Sequence, residues 1–463
     1  MTHYDLVIVG AGSGNSILDE RFDHLKVAMV ERGPFGGTCV NRGCIPSKMY
    51  AYPAEVAESA AHGHELDLDT SMDGADWRAM RDRIIGRVDG IAKGGKEYRE
   101  GLENVDVLTG TARFTGPREL AVELESGETV ALTADQVVLA AGGRPVVPDV
   151  PGLHDVVHHT SDTIMRIDAL PARIGVLGGG YVGSELANVF ASLGSQVVQI
   201  DSAPRLLNSH DEQVSQLFTD TVSARWDVRL DASLDEVTGD ADGPATLHLS
   251  DGTTAEVDMV LVAAGRSTNA DLLDVEKGGI DLDDAGRVVV DVHQRTSAEG
   301  VFALGDLSSP EPLKHVANQD ARIVQHNLLN PDDLQVSDHR FVPNAVFAHP
   351  QVAAVGLTEQ QAREAGLDVA VGVQEYGDTA HGWAMRLDDS GCFVKLVGDR
   401  ATGLLVGAHL VGPQASVLIQ PLIQAMSFDQ PVAGLARGQY WIHPALTETV
   451  ESALLALEAD LGV

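Results

Sequence analysis

Two glycine turns constrain what this chain can become. The apolar run Tyr4–Gly10 (YDLVIVG) breaks into Gly10-Ala11-Gly12-Ser13-Gly14-Asn15. A strand that ends in such a turn and opens a helix brings its backbone close to a pyrophosphate seated on the helix N-terminus. An acid at the end of the next strand receives a ribose hydroxyl. Glu31 stands there, closing KVAMVE 21 residues after Gly10. Asn15 holds the third glycine position, which slightly widens the packing of helix on strand. The same order returns in RIGVLGGGYVGSELANVFASLGSQVVQID, where Gly178, Gly180 and Gly183 complete the pattern and Asp201 ends the following strand. Strand, helix and acid in register, twice, predict an α/β chain with two Rossmann-like dinucleotide-binding units.

The second unit leaves its coenzyme open. An acid at the strand end suits a free 2′-hydroxyl, whereas a 2′-phosphate calls for arginine. Ser202 follows Asp201, and Arg205 lies four residues beyond it. Arg205 either reaches a phosphate or is a solvated surface residue.

Between the two turns lies GGTCVNRGCIPSK, Gly36–Lys48, with Cys39 and Cys44 five residues apart. The chain has three cysteines, too few for a disulfide framework or a four-cysteine metal site, and no metal is expected. Cys392 sits in the strand-like DSGCFVKLV and reads as a small core residue. Two thiols beside a bound dinucleotide read as a redox couple. Pro46 suits the first turn of a helix starting near Cys44, whose positive end stabilises a thiolate there, and Lys48 adds a cation one turn on. Near the C-terminus, Arg437–Glu448 (RGQYWIHPALTE) places His443 five residues before Glu448. A carboxylate can orient an imidazole and raise its pKa for general acid–base work. Among 17 histidines a single one is more often structural, and the thiol couple is what singles this one out.

Composition narrows the partners. A formal net charge of −36 would be repelled by nucleic acid and by anionic membranes. No apolar run reaches the roughly 18 residues of a membrane span. MTHYDLVIVGAG has no basic leader, so a cytoplasmic protein is expected. The 44% apolar and 22% charged residues are ordinary for a folded core.

Strand-like runs with turn residues from Val105 to Ala141 predict a β-meander ending in VVLAAGGRP, and a second meander leads to MVLVAAGRSTN. Helical spacing covers Pro46–Ala61 and MRDRIIGRVDGIAKGGKEYREGL, and a long helix is expected over ASVLIQPLIQAMSF. The last 120 or so residues read as α+β. The expected division is 1–150 and 276–335 for the first dinucleotide domain, 151–275 for the second, and 336–463 for a terminal domain.

Taken together, GGTCVNRGCIPSK and HPALTE identify the chain as resembling the flavoprotein disulfide reductases, the family of glutathione reductase, dihydrolipoyl dehydrogenase and mercuric reductase. The resemblance implies FAD in the first site, NADPH (NADH possible) in the second, and a C-terminal dimerisation domain. Glu31 would bind the adenosine ribose and Asp306 the ribityl–pyrophosphate region. The resemblance adds Arg32, Gly37, Thr38, Gly142 and Ala317 to the first site and Gly265 to the second. Cys44 would face the flavin and Cys39 would exchange with substrate. Lys48 would sit beside the flavin, paired with Glu185. His443 and Glu448 would reach the thiols from the other subunit of an obligate homodimer.

Within the family, GAGSGNSILDERF, TSDTIMRI, PLKHVAN, HGWAM, LIQPLIQAM and ARGQYWIHPAL are similar to an actinobacterial branch acting on the low-molecular-weight disulfide of mycothiol. Tyr440 and Trp441 would either wall the sugar or pack the dimer core. Dihydrolipoamide oxidation, supported by Asp201, is the alternative activity, followed by reduction of another small disulfide. A flavoprotein that only binds is disfavoured by the intact set Cys39, Cys44, Lys48, His443 and Glu448.

Overall fold

The computed structural model describes residues 1–241 and 243–463. Four runs of buried Val, Ile, Leu and Ala form the parallel core of the first sheet: Thr2–Val9, Val27–Glu31, Thr129–Leu139 and Val301–Ala303. Thr2–Val9 pairs in parallel with both Val27–Glu31 and Thr129–Leu139. Val301–Ala303 adds a further parallel strand beside Thr129–Leu139, which returns the chain to the first unit after the second is complete.

The expected meander over Val105–Ala141 shares its strands with the first sheet. Val105–Gly116 and Thr129–Leu139 are single long strands. One stretch of each pairs in parallel within the dinucleotide sheet, and another stretch pairs antiparallel with Glu119–Leu124.

The second unit is a five-stranded parallel sheet. Its order is Asp227–Arg229, Gln196–Ile200, Arg173–Leu177, Met259–Val262 and His158–Thr160. A three-stranded antiparallel sheet over 234–257 covers it. The two units are linked by a short antiparallel pair, Gly143–Pro145 with Arg266–Thr268. The C-terminal part is a five-stranded antiparallel sheet, with the helix Thr447–Leu461 packed on Val369–Glu375 and Phe393–Asp399.

Two helical expectations are corrected. The Gly10–Asn15 turn opens no α-helix: Ser13–Ser16 and Glu20–Phe22 are isolated 3-10 turns. The cause is Arg99, 6% exposed. Its Nη2 donates to the carbonyls of Asn15 (2.6 Å) and Leu18 (3.0 Å), and its Nε donates to Asn15 Oδ1 at 2.8 Å. Carbonyls that chain amides would claim in a helix are held by a side chain instead. The run expected as one helix over Ala415–Phe428 is two, Ala415–Leu418 and Gln420–Ser427, because Pro421 has no amide to continue the first.

One apolar cluster positions the thiols. Tyr50, Ala54 and Ala57 project from the helix Cys44–Ala61. Tyr50 stacks on Trp77 at 4.9 Å, and Trp77 on Phe190 at 5.5 Å. Phe190 belongs to the helix Tyr181–Ser192 that follows the second glycine turn. Val346, Val352, Phe393 and Val411 of the C-terminal part close the same cluster. Each fully buried large side chain contributes about 2–3 kcal/mol, so the thiol helix is held firmly against the second unit and the C-terminal part.

Candidate active site

Cys39 lies on a short helix, Gly37–Arg42, and Cys44 is the first residue of Cys44–Ala61. Gly43 joins them with no room for a side chain, since a Cβ there would stand 2.9 Å from the carbonyl oxygen of Thr38. Both are free thiols. Their interaction divides their acidities. Cys44 is pulled down to about 6 by Cys39, with help from the Lys48 charge and its own backbone amide at the helix start, while burial and Glu185 oppose. Cys39 is pushed far up by Cys44 and by burial. Of the two, Cys44 is the sulfur that ionises first.

Lys48 projects one turn after Cys44 and donates to both oxygens of Glu185, at 2.8 and 2.7 Å. Glu185 is nearly buried on the helix Tyr181–Ser192, where the amide of Phe347 also donates to it at 3.1 Å. The resulting ion pair joins the thiol helix to the second unit.

The thiols open onto a cavity of about 600 Å³. Its wall includes Gly10, Gly12, Glu31, Arg32, Gly37, Thr38, Gly142, Asp306 and Ala317, together with Lys48 and Glu185. Glu31 ends its strand as expected, and its carboxylate accepts from the amides of Ala11 (2.7 Å) and Gly33 (2.8 Å). Burial raises its pKa, against the pull of those amides and of Arg32. Two loops cross here at backbone distance. A Cβ on Gly37, whose φ is +61°, would fall 2.8 Å from Gly12 Cα, and one on Gly10 would fall 2.3 Å from the Ala140 carbonyl oxygen. That close approach leaves a groove bounded by backbone, which is what a pyrophosphate needs.

The structure places Asn15 elsewhere. It faces Arg99, outside the cavity wall, and the close packing of turn on strand falls to Gly14, where a Cβ would lie 2.9 Å from Ala140 Cβ. With only a 3-10 turn present, the helix terminus expected beneath the pyrophosphate is also absent from the first site.

The second turn does open a helix. Gly183 packs it on the strand, since a Cβ there would meet the Gly178 carbonyl at 2.0 Å. Gly180 precedes the helix with open space above it, and Gly265 lies in a left-handed turn with open space around it. Asp201 spends both oxygens on the loop amides of Gly179 and Ala203. Ser202 is exposed, and Arg205 pairs with Glu212 at 3.3 Å while its Nε has no partner. None of Gly178, Gly180, Gly183, Asp201, Ser202, Arg205 or Gly265 lines the thiol cavity; Tyr181, Val182 and Glu185 do.

His443 Nδ1 and Glu448 Oε1 are 2.7 Å apart, and the Ala445 amide holds the second carboxylate oxygen at 3.2 Å. The His443 hydrogen bond keeps the Glu448 carboxyl below its usual range. The His443 ring is 73% exposed and lies outside the thiol cavity of its own chain. Tyr440 and Ile442, just before it in the chain, are exposed, as are Phe428 and Val417 elsewhere in the C-terminal part. Trp441 is half-buried and bonded through Nε1 to the Ala436 carbonyl, so it packs within its own chain.

Sequence reasoning missed Ser13, Arg42, Arg144, Arg266, Asn269 and Lys314, all in the cavity wall. Lys314, in PLKHVAN, was visible only as part of a resembling segment.

Residues 4–321 match the model of the pyridine nucleotide-disulphide oxidoreductases, and residues 342–454 match the dimerisation domain of the same family. This chain belongs to that family. Among its relatives, the mycothione reductase of Mycobacterium tuberculosis is 50% identical over 99% of this chain and 100% of its own length. A dihydrolipoyl dehydrogenase of Thermus scotoductus is 34% identical over 99% and 98%. A solved flavoprotein disulfide reductase of Escherichia coli, induced by HOCl and captured as a Cu(II) complex, superposes with a TM-score of 0.86. It is 27% identical and covers 98% of this chain and 99% of its own. The oxidoreductase is thus an NAD(P)H:disulfide oxidoreductase with FAD and NAD(P)H as its cofactors. Among its described residues, no helix is long and apolar enough to cross a membrane.

Proposed function

We propose that the oxidoreductase reduces mycothione to mycothiol, working as an obligate homodimer. The observation that carries the disulfide chemistry is the pair of free thiols, Cys39 and Cys44, in the wall of one cavity with Lys48 and Glu185. The full-length likeness to a mycothione reductase carries the substrate. Glu31, Arg32, Gly37, Thr38, Gly142, Asp306 and Ala317 would hold FAD. The turn Gly178–Gly183 with Asp201, Ser202, Arg205 and Gly265 would hold the nicotinamide coenzyme. Bound FAD supplies a two-electron link from that coenzyme to the Cys39–Cys44 disulfide, leaving two sulfurs that share one proton.

From there the residues of the chain do the work. His443 of a second copy, oriented by Glu448, takes the proton from Cys39. The Cys39 thiolate attacks one sulfur of mycothione, forming a mixed disulfide and expelling one mycothiol thiolate. His443 returns its proton to that leaving sulfur. The Cys44 thiolate then attacks Cys39, expelling the second mycothiol as a thiolate, which takes its proton from solvent, and remaking the internal bridge. Lys48, anchored by Glu185, stabilises the Cys44 charge until that attack.

Purified holoenzyme assayed with mycothione, glutathione disulfide and dihydrolipoamide, under both coenzymes, tests the assignment. Mycothione reduction dominates if it is right. Dihydrolipoamide oxidation with NAD⁺ and no turnover of mycothione replaces it with the dehydrogenase reading, which Asp201 favours. For the coenzyme, Arg205→Ala raises the KM for NADPH while leaving that for NADH unchanged; equal NADPH KM values for wild type and variant place Arg205 at the surface only.

A further inference from the structure

The chain leaves the cavity wall along the helix Lys314–Leu329 and crosses to the C-terminal sheet through 331–343, a strap with neither helix nor strand. Four histidine rings fasten it. His326 Nε2 donates to the Asp333 carbonyl at 2.7 Å, His293 Nδ1 to the Gln335 carbonyl at 2.9 Å, and His315 Nε2 to the Pro343 carbonyl at 2.7 Å. The fourth differs in kind. His339, on the strap itself, donates through Nε2 to Oδ1 of Asp320 at 2.8 Å. Asp320 projects from the helix one turn after Ala317 and is fully buried, and its Oδ2 has no hydrogen-bond partner among the described residues. Ser337 Oγ donates to the same Oδ1 at 2.8 Å and lies 3.1 Å from His339 Nε2. One ring nitrogen faces both neighbours, so the three residues are not a nucleophile relay.

We propose that Asp320 and His339 form a proton-dependent latch: protonated His339 fastens the strap to the helix, and loss of that proton releases it. The latch is independent of which disulfide is the substrate.

A buried carboxylate with one oxygen unpartnered is costly unless a positive charge balances it. Among the described residues, His339 is the ion-pairing partner of Asp320. The charges around the ring come from three places. The helix supplies Asp320, and the turn before it supplies Glu311. The strap supplies Asp338 and Arg340, which pair at 3.0 Å, and Arg340 also reaches Asp429 at 3.5 Å. The bond to Asp320 raises the His339 pKa against the opposing effect of burial, and Asp338 and Glu311 add to the rise. A raised pKa means the fastening is complete in acid and is lost as pH climbs through the folded-state value. The other three rings each give one N–H to a carbonyl, which an imidazole does in either charge state. The strap ends at Pro343, and the strand Asn344–Val346 follows at once. Ala345 lines the cavity, and the Phe347 amide holds Glu185 at 3.1 Å. Release of the strap therefore loosens the wall where Glu185 anchors Lys48.

Hydrogen exchange of the holoenzyme, resolved by peptide mass and set against the intrinsic rate at each pH, reads the latch without any substrate. Wild-type protection over 333–347 falls from about pH 6 to about pH 9. The fall is at most about tenfold per pH unit, the limit for one linked proton. His339→Gln keeps an N–H donor and loses the charge, so its protection stays at the alkaline wild-type level throughout. Asp320→Asn removes the charge that calls for the proton and abolishes the pH dependence. His315→Gln retains the wild-type fall. A flat wild-type profile overturns the proposal, as does a wild-type fall in His339→Gln. An equal fall in the strand Val352–Gly356 also overturns it, by assigning the loss to the whole C-terminal part.

Discussion

At Cys44 the neighbouring Cys39, Lys48 and the helix start outweigh burial and Glu185, and the thiol falls to about 6. A lowered pKa means the thiolate persists above that value and is lost as pH falls through it. Thiolate absorbance of the two-electron-reduced holoenzyme should therefore disappear with a midpoint near 6. Lys48→Met should move the midpoint up and Glu185→Gln should move it down, each by about 1 pH unit; shifts in the same direction would contradict the assigned signs. Cys44→Ser should abolish the band and Cys39→Ser should keep it. Much of this was legible in the sequence. GGTCVNRGCIPSK places both thiols, the helix start and Lys48 within one local stretch, where spacing decides geometry. Lys314 was not legible in that way, because it joins the same cavity wall from about 270 residues further along the chain, and only the fold brings it there.

The element that departs most from expectation is the first glycine turn. Its pattern predicts strand, turn and helix, and the helix is missing because buried Arg99 captures the carbonyls of Asn15 and Leu18. Arg99→Leu should leave those acceptors unpaired at a cost of about 3 kcal/mol or more. It should also lower the FAD content of purified protein, measured as the ratio of flavin to protein absorbance. A variant with full flavin and unchanged melting temperature would remove Arg99 from this role. A second buried charge fastens the second dinucleotide unit to the C-terminal sheet. Lys395, 3% exposed, pairs with Asp211 at 3.0 Å and Glu359 at 2.8 Å, and Asp211 also caps the helix Glu212–Ser223. Asp211→Ala loses the cap and leaves the buried ammonium with a single partner, so destabilisation of about 3–5 kcal/mol is expected in thermal or urea unfolding. Neither Arg99 nor Lys395 announces its partners in sequence, since each pairs across elements that no local period connects.

For the whole molecule, the decisive question is where His443 works. It is bonded to Glu448 and exposed, with the exposed Tyr440 and Ile442 just before it in the chain, outside the thiol cavity of its own chain. An exposed apolar surface of this kind marks an interface, and it lies within the matched dimerisation domain. Cys44→Ser and His443→Ala homodimers should each be nearly inactive. Mixed dimers formed by co-expression should recover activity from one intact site, giving about a quarter of wild-type turnover under random pairing. Recovery of none would place His443 beside its own thiols.

By itself, the sequence determined the two dinucleotide units, the thiol couple with its lysine, and the His443–Glu448 pair, because each rests on residues close enough in the chain for local geometry to follow from spacing. The tertiary structure alone decided that Arg99 takes the carbonyls of Asn15 and Leu18, that Lys395 is buried between Asp211 and Glu359, and that Lys314 joins the wall of the thiol cavity. Those outcomes depend on which distant groups share a buried space, where an unpaired charge or carbonyl is costly, and no local pattern encodes that.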